Sequence, residues 1–329
     1  MNKILVTYEA DREQREMFRK TFASRELSFL AESRDSSDRE SLLQNAEVLV
    51  SWNPAKELEN DNRSLLRKVR FVQLISAGYD HLKFEMFADD CKVAANQGAY
   101  ALPMAEHALA MMLDGAKKLR RYHNLLAEGR FEQQASYTKR VTGSTVGVLG
   151  FGSIGKETVR LMRPFHVRVL AINTSGRTED NVDFCGTLKD LDLVLAESDF
   201  LLVSIPLTSE TTGLIGKTEL EKMKHDAALV NVARGAIIKE RDLYEHLKSH
   251  PGFFACIDAW WIEPFRNGKF SVDYPFFELP NLLGSPHNSA LVDGIMLEGA
   301  TRAAQNVARY LQGGNVSGIV PNPRKVIAR

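Results

Sequence analysis

The sequence predicts an α/β protein built as two doubly wound, parallel-sheet domains. Three observations carry that prediction. Short apolar runs alternate with polar stretches of helical character along nearly the whole chain, the pattern of a parallel sheet with crossover helices. The 329 residues exceed one typical domain, and 44% hydrophobic content is ordinary for a protein that buries a sizeable core. A glycine-rich strand-to-helix junction, Gly150-Phe151-Gly152-Ser153-Ile154-Gly155, falls in mid-chain rather than near the start.

In chain order, the first lobe is expected to hold strands at Ile4–Thr7, Val48–Ser51, Phe71–Ile75 and Lys92–Ala95. Helical stretches at Asp11–Phe22 and Asp61–Arg67 separate them. A long helix follows Leu102, with Pro103 placed near its first turn. Met104, Ala108, Met111, Met112 and Leu119 recur along it at helical spacing, a face suited to core or subunit interface. Further strands are expected at Val146–Gly150, Val167–Ile172, Phe200–Ile205, Ala228–Asn231, Phe253–Ile257 and Leu282–Leu283. A last helix runs from Ile295 to Leu311 and precedes a Gly/Asn/Pro-rich tail.

Composition excludes several classes. Lys plus Arg equals Asp plus Glu at 42 each, so no global field favours nucleic acid or an anionic membrane. No apolar run reaches spanning length, and the N-terminal strand pattern is too brief for a signal peptide. Cys91, Cys185 and Cys256 show no metal-ligand spacing and read as reduced thiols of a cytoplasmic protein, with no metal expected. Cys256, in an apolar run, reads as a core thiol.

The junction carries the first chemistry. Gly150 permits the tight turn out of the strand, Gly152 lets the backbone approach a pyrophosphate, and Gly155 lets the helix pack close to the sheet. The phosphates would rest on free N–H groups of the helix start, at Ser153, Ile154 and Gly155. This predicts a Rossmann-type dinucleotide-binding lobe over residues 98–287, inserted between parts of a first lobe made of residues 1–97 plus 288–329.

Three strand ends carry the rest. Arg234 follows the run Val230–Ala233, Glu263 follows Ile257-Asp258, and His287 follows Gly284-Ser285-Pro286. Ligands of an open α/β sheet bind beyond the carboxyl ends of its strands. An Arg, a Glu and a His, each beyond a separate strand, is what a hydride-transfer site needs. His81, His107 and His123 read as structural, since none follows a second-lobe strand.

Ser76-Ala77-Gly78-Tyr79-Asp80-His81, Ala105-Glu106-His107, the glycine junction, Pro206-Leu207-Thr208, Ala233-Arg234-Gly235, Asp258 with Glu263-Pro264, and Pro286-His287 occur in an informative order and spacing. On these motifs the chain resembles the D-isomer-specific 2-hydroxyacid dehydrogenase family over essentially its full length. The resemblance implies a flavodoxin-like substrate domain, to which the last helix returns, a Rossmann-type cofactor domain and a homodimer formed largely through the latter. It assigns His287 as proton donor or acceptor, Glu263 as its partner on the other ring nitrogen, and Arg234 as the clamp on the carboxylate and carbonyl of a 2-oxo acid. Backbone N–H groups of Ala77 and Gly78 would complete the carboxylate site. Pro206, Val232, Ala233 and Asp258 would line the cofactor.

The resemblance leaves two departures: the bulky Trp260-Trp261 pair, expected to narrow the pocket, and Asn288-Ser289 after the His. The strand Val167–Ile172 ends in Asn173 where NAD-preferring folds place an acid, and Thr174, Ser175 and Arg177 follow. NADP(H) is therefore expected in preference to NAD(H), with NAD(H) possible. The stretch Val50-Ser51-Trp52-Asn53-Pro54 lacks a cation for a phosphate, favouring glyoxylate, hydroxypyruvate or pyruvate. Alternatives are a phosphoglycerate-type dehydrogenase and a non-catalytic, dinucleotide-sensing corepressor-like protein.

Overall fold

The computed structural model describes residues 3–135 and 137–322. Residues 1, 2, 136 and 323–329 of the expected lobes lie outside the described residues. The chain divides into two compact units, one formed by residues up to Tyr100 together with those from Val292 onward, the other by Ala101–Leu291.

The first unit holds β1 (Lys3–Val6), β2 (Glu26–Phe29), β3 (Val48–Ser51), β4 (Phe71–Leu74) and β5 (Lys92–Ala94). They form one parallel sheet in the order β2-β1-β3-β4-β5, the flavodoxin-like winding. Its central strands are buried on both faces and so read as continuous apolar runs. Edge strand β2, Glu-Leu-Ser-Phe, buries only Phe29 and gives no such run, which is why the sequence does not announce it.

The helix Arg12–Thr21 begins on a capping box. Asp11 Oδ1 accepts from Gln14 N at 2.8 Å, and Gln14 Oε1 accepts from Asp11 N at 3.3 Å. The stretch Asp61–Arg67, expected as a helix, is instead one 3-10 turn at Arg63–Leu66, led by Asn62. The last helix, Ile295–Leu311, packs on Arg12–Thr21 and sends Ala300, Ala303, Ala304 and Val307 into the core with Ile4, Val6, Val48 and Phe71. The second unit is thereby inserted, along the chain, within the first.

The second unit opens with the helix Ala101–Lys117. Ala108, Met111, Met112 and Ala116 lie in its core. Leu119 does not continue that face. Lys118 takes a left-handed backbone, φ 54°, and a separate helix, Leu119–Ala127, begins there with Leu119 exposed. Seven parallel strands follow: β6 (Thr145–Leu149), β7 (Arg168–Ile172), β8 (Phe184–Gly186), β9 (Phe200–Val203), β10 (Ala228–Asn231), β11 (Phe254–Ile257) and β12 (Leu282–Gly284). Their order is β12-β11-β10-β9-β6-β7-β8, a Rossmann-type winding with one strand added beyond β11. The short edge strand β8 is another the sequence does not announce. Cys256 is fully buried in β11, its thiol pushed well up by burial and donating to the Met111 carbonyl at 3.3 Å. Among the described residues no helix is long and apolar enough to cross a membrane.

Candidate active site

In the second sheet the strand order reverses at β6, whose neighbours are β7 and β9. Gly150 leaves β6 at φ 105°, and a Cβ there would lie 2.6 Å from Ile205 N. At Gly155 a Cβ would lie 2.7 Å from the Gly150 carbonyl oxygen. Both glycines are therefore required by backbone packing. Gly152 differs, because a Cβ there would meet nothing within 4 Å. It caps the helix Ser153–Met162 without a side-chain hydrogen bond, leaving the first-turn N–H groups of Ser153, Ile154 and Gly155 beyond the reach of intrahelical acceptors. An open face over free N–H groups at a positive helix end fits a dinucleotide pyrophosphate.

At the end of β7, Asn173 organises the next loop. Its Oδ1 accepts from Ser175 N, Ser175 Oγ and Gly176 N, and its Nδ2 donates to the Arg177 carbonyl at 2.9 Å. The amide is thus spent on the loop's own backbone. Thr174, Ser175 and Arg177 are exposed. Lys156 lies 2.8 Å from Asp180, holds that carboxyl below its ordinary range, and so draws the acid toward the helix Ser153–Met162.

Past β9, the Pro206 carbonyl accepts from Thr211 Oγ1 at 2.8 Å. Past β10, Asn231 shapes the turn: its Oδ1 accepts from Ala233 N, and its Nδ2 donates to the Arg234 carbonyl, both at 3.0 Å. Arg234 is half-buried, its Nη1 donating to the Ala233 carbonyl at 2.8 Å. Val232 is fully buried within the core, and Ala233 nearly so. A Cβ at Gly235 would lie 2.4 Å from the Trp260 carbonyl carbon, so the Arg234 turn presses against the backbone that leads to Glu263.

Glu263 is buried. Its Oε1 accepts from Trp260 N at 2.8 Å and lies 2.6 Å from His287 Nδ1. Since a carboxylate only accepts, Nδ1 carries the proton and donates. His287 itself has φ 53°, a left-handed conformation uncommon outside glycine, and Phe265 meets its ring edge-on at 5.2 Å. Asp258 is fully buried and faces the same loop. Its Oδ1 accepts from Ser285 Oγ at 2.5 Å and Asn288 N at 3.1 Å, and its Oδ2 accepts from Ser289 N at 3.2 Å.

Arg234, Glu263 and His287 thus belong to one unit, beyond the adjacent strands β10, β11 and β12. Ala77 and Gly78 lie in the other unit, beyond β4, where Ser76 Oγ donates to the Gly78 carbonyl at 2.9 Å. Of the Trp260-Trp261 pair, Trp260 is buried in the core and donates to the Ser285 carbonyl, while Trp261 is half-buried, stacks on Phe276 and donates to the Ile238 carbonyl. The indole N–H groups found backbone partners inside the fold. His107, read as structural, has Nε2 3.0 Å from Ser285 Oγ and 3.8 Å from Asp258 Oδ1. Nothing in the linear sequence links positions 107 and 285, which are 178 residues apart.

A family model described as "D-isomer specific 2-hydroxyacid dehydrogenase, NAD binding domain" matches residues 109–289, more than half of the chain. The chain belongs to the D-isomer-specific 2-hydroxyacid dehydrogenase family. Among the members it resembles is a D-3-phosphoglycerate dehydrogenase of Archaeoglobus fulgidus, 31% identical over 75% of this chain. The match covers 46% of that relative, so the chain spans about half the length of that protein. A hydroxypyruvate reductase of Thermotoga maritima is 28% identical over 80% of this chain and 85% of its own. Among solved structures, a glycerate dehydrogenase related protein from Thermoplasma acidophilum superposes with a TM-score of 0.65 at 28% identity. That superposition covers 94% of this chain and 99% of the other. The family's members are NAD(P)-dependent oxidoreductases, and the second unit carries its NAD-binding domain.

Proposed function

We infer that this protein transfers a hydride between NADP(H), used in preference to NAD(H), and a small non-phosphorylated 2-oxo or 2-hydroxy acid such as glyoxylate, hydroxypyruvate or pyruvate. The observation that carries the reading is the His287–Glu263 couple, with Nδ1 held 2.6 Å from a buried carboxylate beyond the sheet's last strand. That contact fixes the tautomer, leaving Nε2 as the position that gives a proton to a carbonyl oxygen or takes one from a hydroxyl. The Arg234 fork grips the substrate carboxylate and polarises the carbonyl. The bound nicotinamide supplies or accepts the hydride.

A non-phosphorylated substrate is supported in the first unit. Beyond β1 and β3 the Glu57 carboxylate accepts from Thr7 Oγ1 (2.6 Å), Ser51 Oγ (2.6 Å), Trp52 N (2.9 Å) and Asn53 N (2.6 Å). The donors that would otherwise welcome an anion there are already satisfied by the protein's own charge. NADP(H) is supported by the absence of an acid at position 173, by exposed Arg177, and by the diversion of Asp180 to Lys156. The second reading, a phosphoglycerate-type dehydrogenase, is favoured by the relative from Archaeoglobus fulgidus.

The test follows loss of NADPH or NADH against glyoxylate, hydroxypyruvate, pyruvate and phosphohydroxypyruvate. Turnover is expected on the non-phosphorylated acids, with an NADPH over NADH ratio of kcat/KM above unity that falls in Arg177→Ala. His287→Ala should lose turnover by orders of magnitude while still binding cofactor. Near-normal turnover in His287→Ala would overturn the mechanism. A higher kcat/KM on phosphohydroxypyruvate would select the second reading. Cofactor binding without turnover on any acid would point to a non-catalytic dinucleotide sensor.

A further inference from the structure

We propose that His107 is a positioning residue for His287, acting through Ser285 and Asp258; the proposal rests on the role given to His287 above. His107 lies on the helix Ala101–Lys117, one turn before Met111, whose carbonyl accepts from the Cys256 thiol of β11. Two residues beyond Cys256 is Asp258, fully buried. A buried carboxylate is costly unless each lone pair finds a donor, and this one has three close ones: Ser285 Oγ, Asn288 N and Ser289 N.

Counting protons sets the direction of the chain. Ser285 has one hydroxyl hydrogen, and the 2.5 Å approach to Asp258 Oδ1 commits it to the carboxylate. The Oγ lone pairs must then be served by a donor, and His107 Nε2 stands 3.0 Å away. His107 therefore carries a proton on Nε2 and supplies the outermost bond of a His107–Ser285–Asp258 relay.

The relay ends on the two amides that immediately follow His287. That residue holds φ 53°, a conformation that persists in a non-glycine residue only where its surroundings over-determine it. Glu263 grips the ring from one side, and Asp258 grips the following backbone from the other. Removing the His107 donor frees the Ser285 hydroxyl to turn from Asp258 and loosens the second grip. A small misplacement of a reacting group costs up to about 100-fold in rate.

The experiment compares wild type, His107→Phe, His107→Gln, Ser285→Ala and His287→Ala in two readouts: steady-state reduction of the best 2-oxo acid, and hydrogen exchange at the Asn288 and Ser289 amides. His107→Phe and Ser285→Ala should each lower kcat about tenfold or more, with KM for the cofactor within about twofold of wild type, and should speed exchange at both amides. His107→Gln, which keeps an N–H donor at a similar reach, should recover most of kcat and of the protection. The proposal is overturned if His107→Phe matches wild type in both readouts, or if His107→Gln falls as far as His107→Phe, which would leave only space-filling. Ser285→Ala keeps the test decisive should His107→Phe fail to fold. Full turnover in His287→Ala would instead overturn the parent reading, and the exchange readout then decides the relay alone.

Discussion

His287 shows how a single residue is prepared for chemistry. A left-handed backbone costs on the order of 1–3 kcal/mol, offset here by charge-assisted hydrogen bonds to Glu263 at the ring and to Asp258 at the next two amides. Arg234 is prepared differently, by a turn that Asn231 ties from within, with Nη1 donating to the Ala233 carbonyl. Its value lies in the planar fork, which a point charge does not reproduce. Arg234→Lys should therefore behave much like Arg234→Ala, with kcat/KM on the best 2-oxo acid down by about 100-fold or more, measured by steady-state reduction. Recovery to within a few-fold of wild type by the Lys variant would show that charge alone suffices.

Elements are positioned by backbone approaches that side chains would forbid. Gly235 is the case beside the candidate site, with the Trp260 carbonyl carbon and oxygen and Trp261 N at 2.4, 2.5 and 2.6 Å from where a Cβ would stand. None of these is a flexible side-chain end, so the neighbour must move as backbone. Gly235→Ala is expected to destabilise the protein by about 1–3 kcal/mol and to lower activity beyond that loss, because the displaced segment carries Glu263. Denaturant unfolding with activity measured on the folded fraction checks both. A variant as stable and as active as wild type would mean that the two segments separate without penalty. At this scale the strand ends bearing Arg234 and Glu263 were legible in the sequence, because β10 and β11 are buried along their length and read as continuous apolar runs. The edge strand before His287, β12, was marked only by its Leu282-Leu283 pair, and edge strands β2 and β8, short and partly exposed, gave no such signal.

For the whole molecule, stability in acid should follow His246. Burial, and secondarily the His250 ring stacked at 4.1 Å, lower its pKa to about 4 from 6.5, and Nε2 has no partner among the described residues. Above pH 6.5 the residue is neutral whether the chain is folded or not. Below it the unfolded chain takes up a proton that the folded one refuses, so stability falls between pH 6.5 and about 4, by a few kcal/mol at most. Chemical denaturation at pH 7 and pH 5 should show this loss, and His246→Gln should flatten it. An identical slope in the variant would remove His246 as its source. A second expectation concerns assembly. Leu119, Leu126, Phe131 and Tyr137 are all exposed within one stretch of the second unit, which supports the homodimer implied by the family. Light scattering should give twice the 36.9 kDa chain mass, and a monomer at working concentration would refute it.

The sequence by itself determined the two wound sheets, the glycine junction and the three strand ends that carry the candidate catalytic residues. Each of these is local, because glycine spacing, apolar runs and a polar residue just past a run are written in consecutive positions. Tertiary structure alone decided what those residues bond to. Trp260 and Trp261 turned inward because two backbone carbonyls, those of Ser285 and Ile238, were there to accept their N–H groups. Asn173 spent its amide on its own loop, and His107 met Ser285 across 178 residues of chain. Partners of this kind are chosen by burial, where every donor and acceptor must be satisfied by whatever the fold brings near, and linear order carries no record of that proximity.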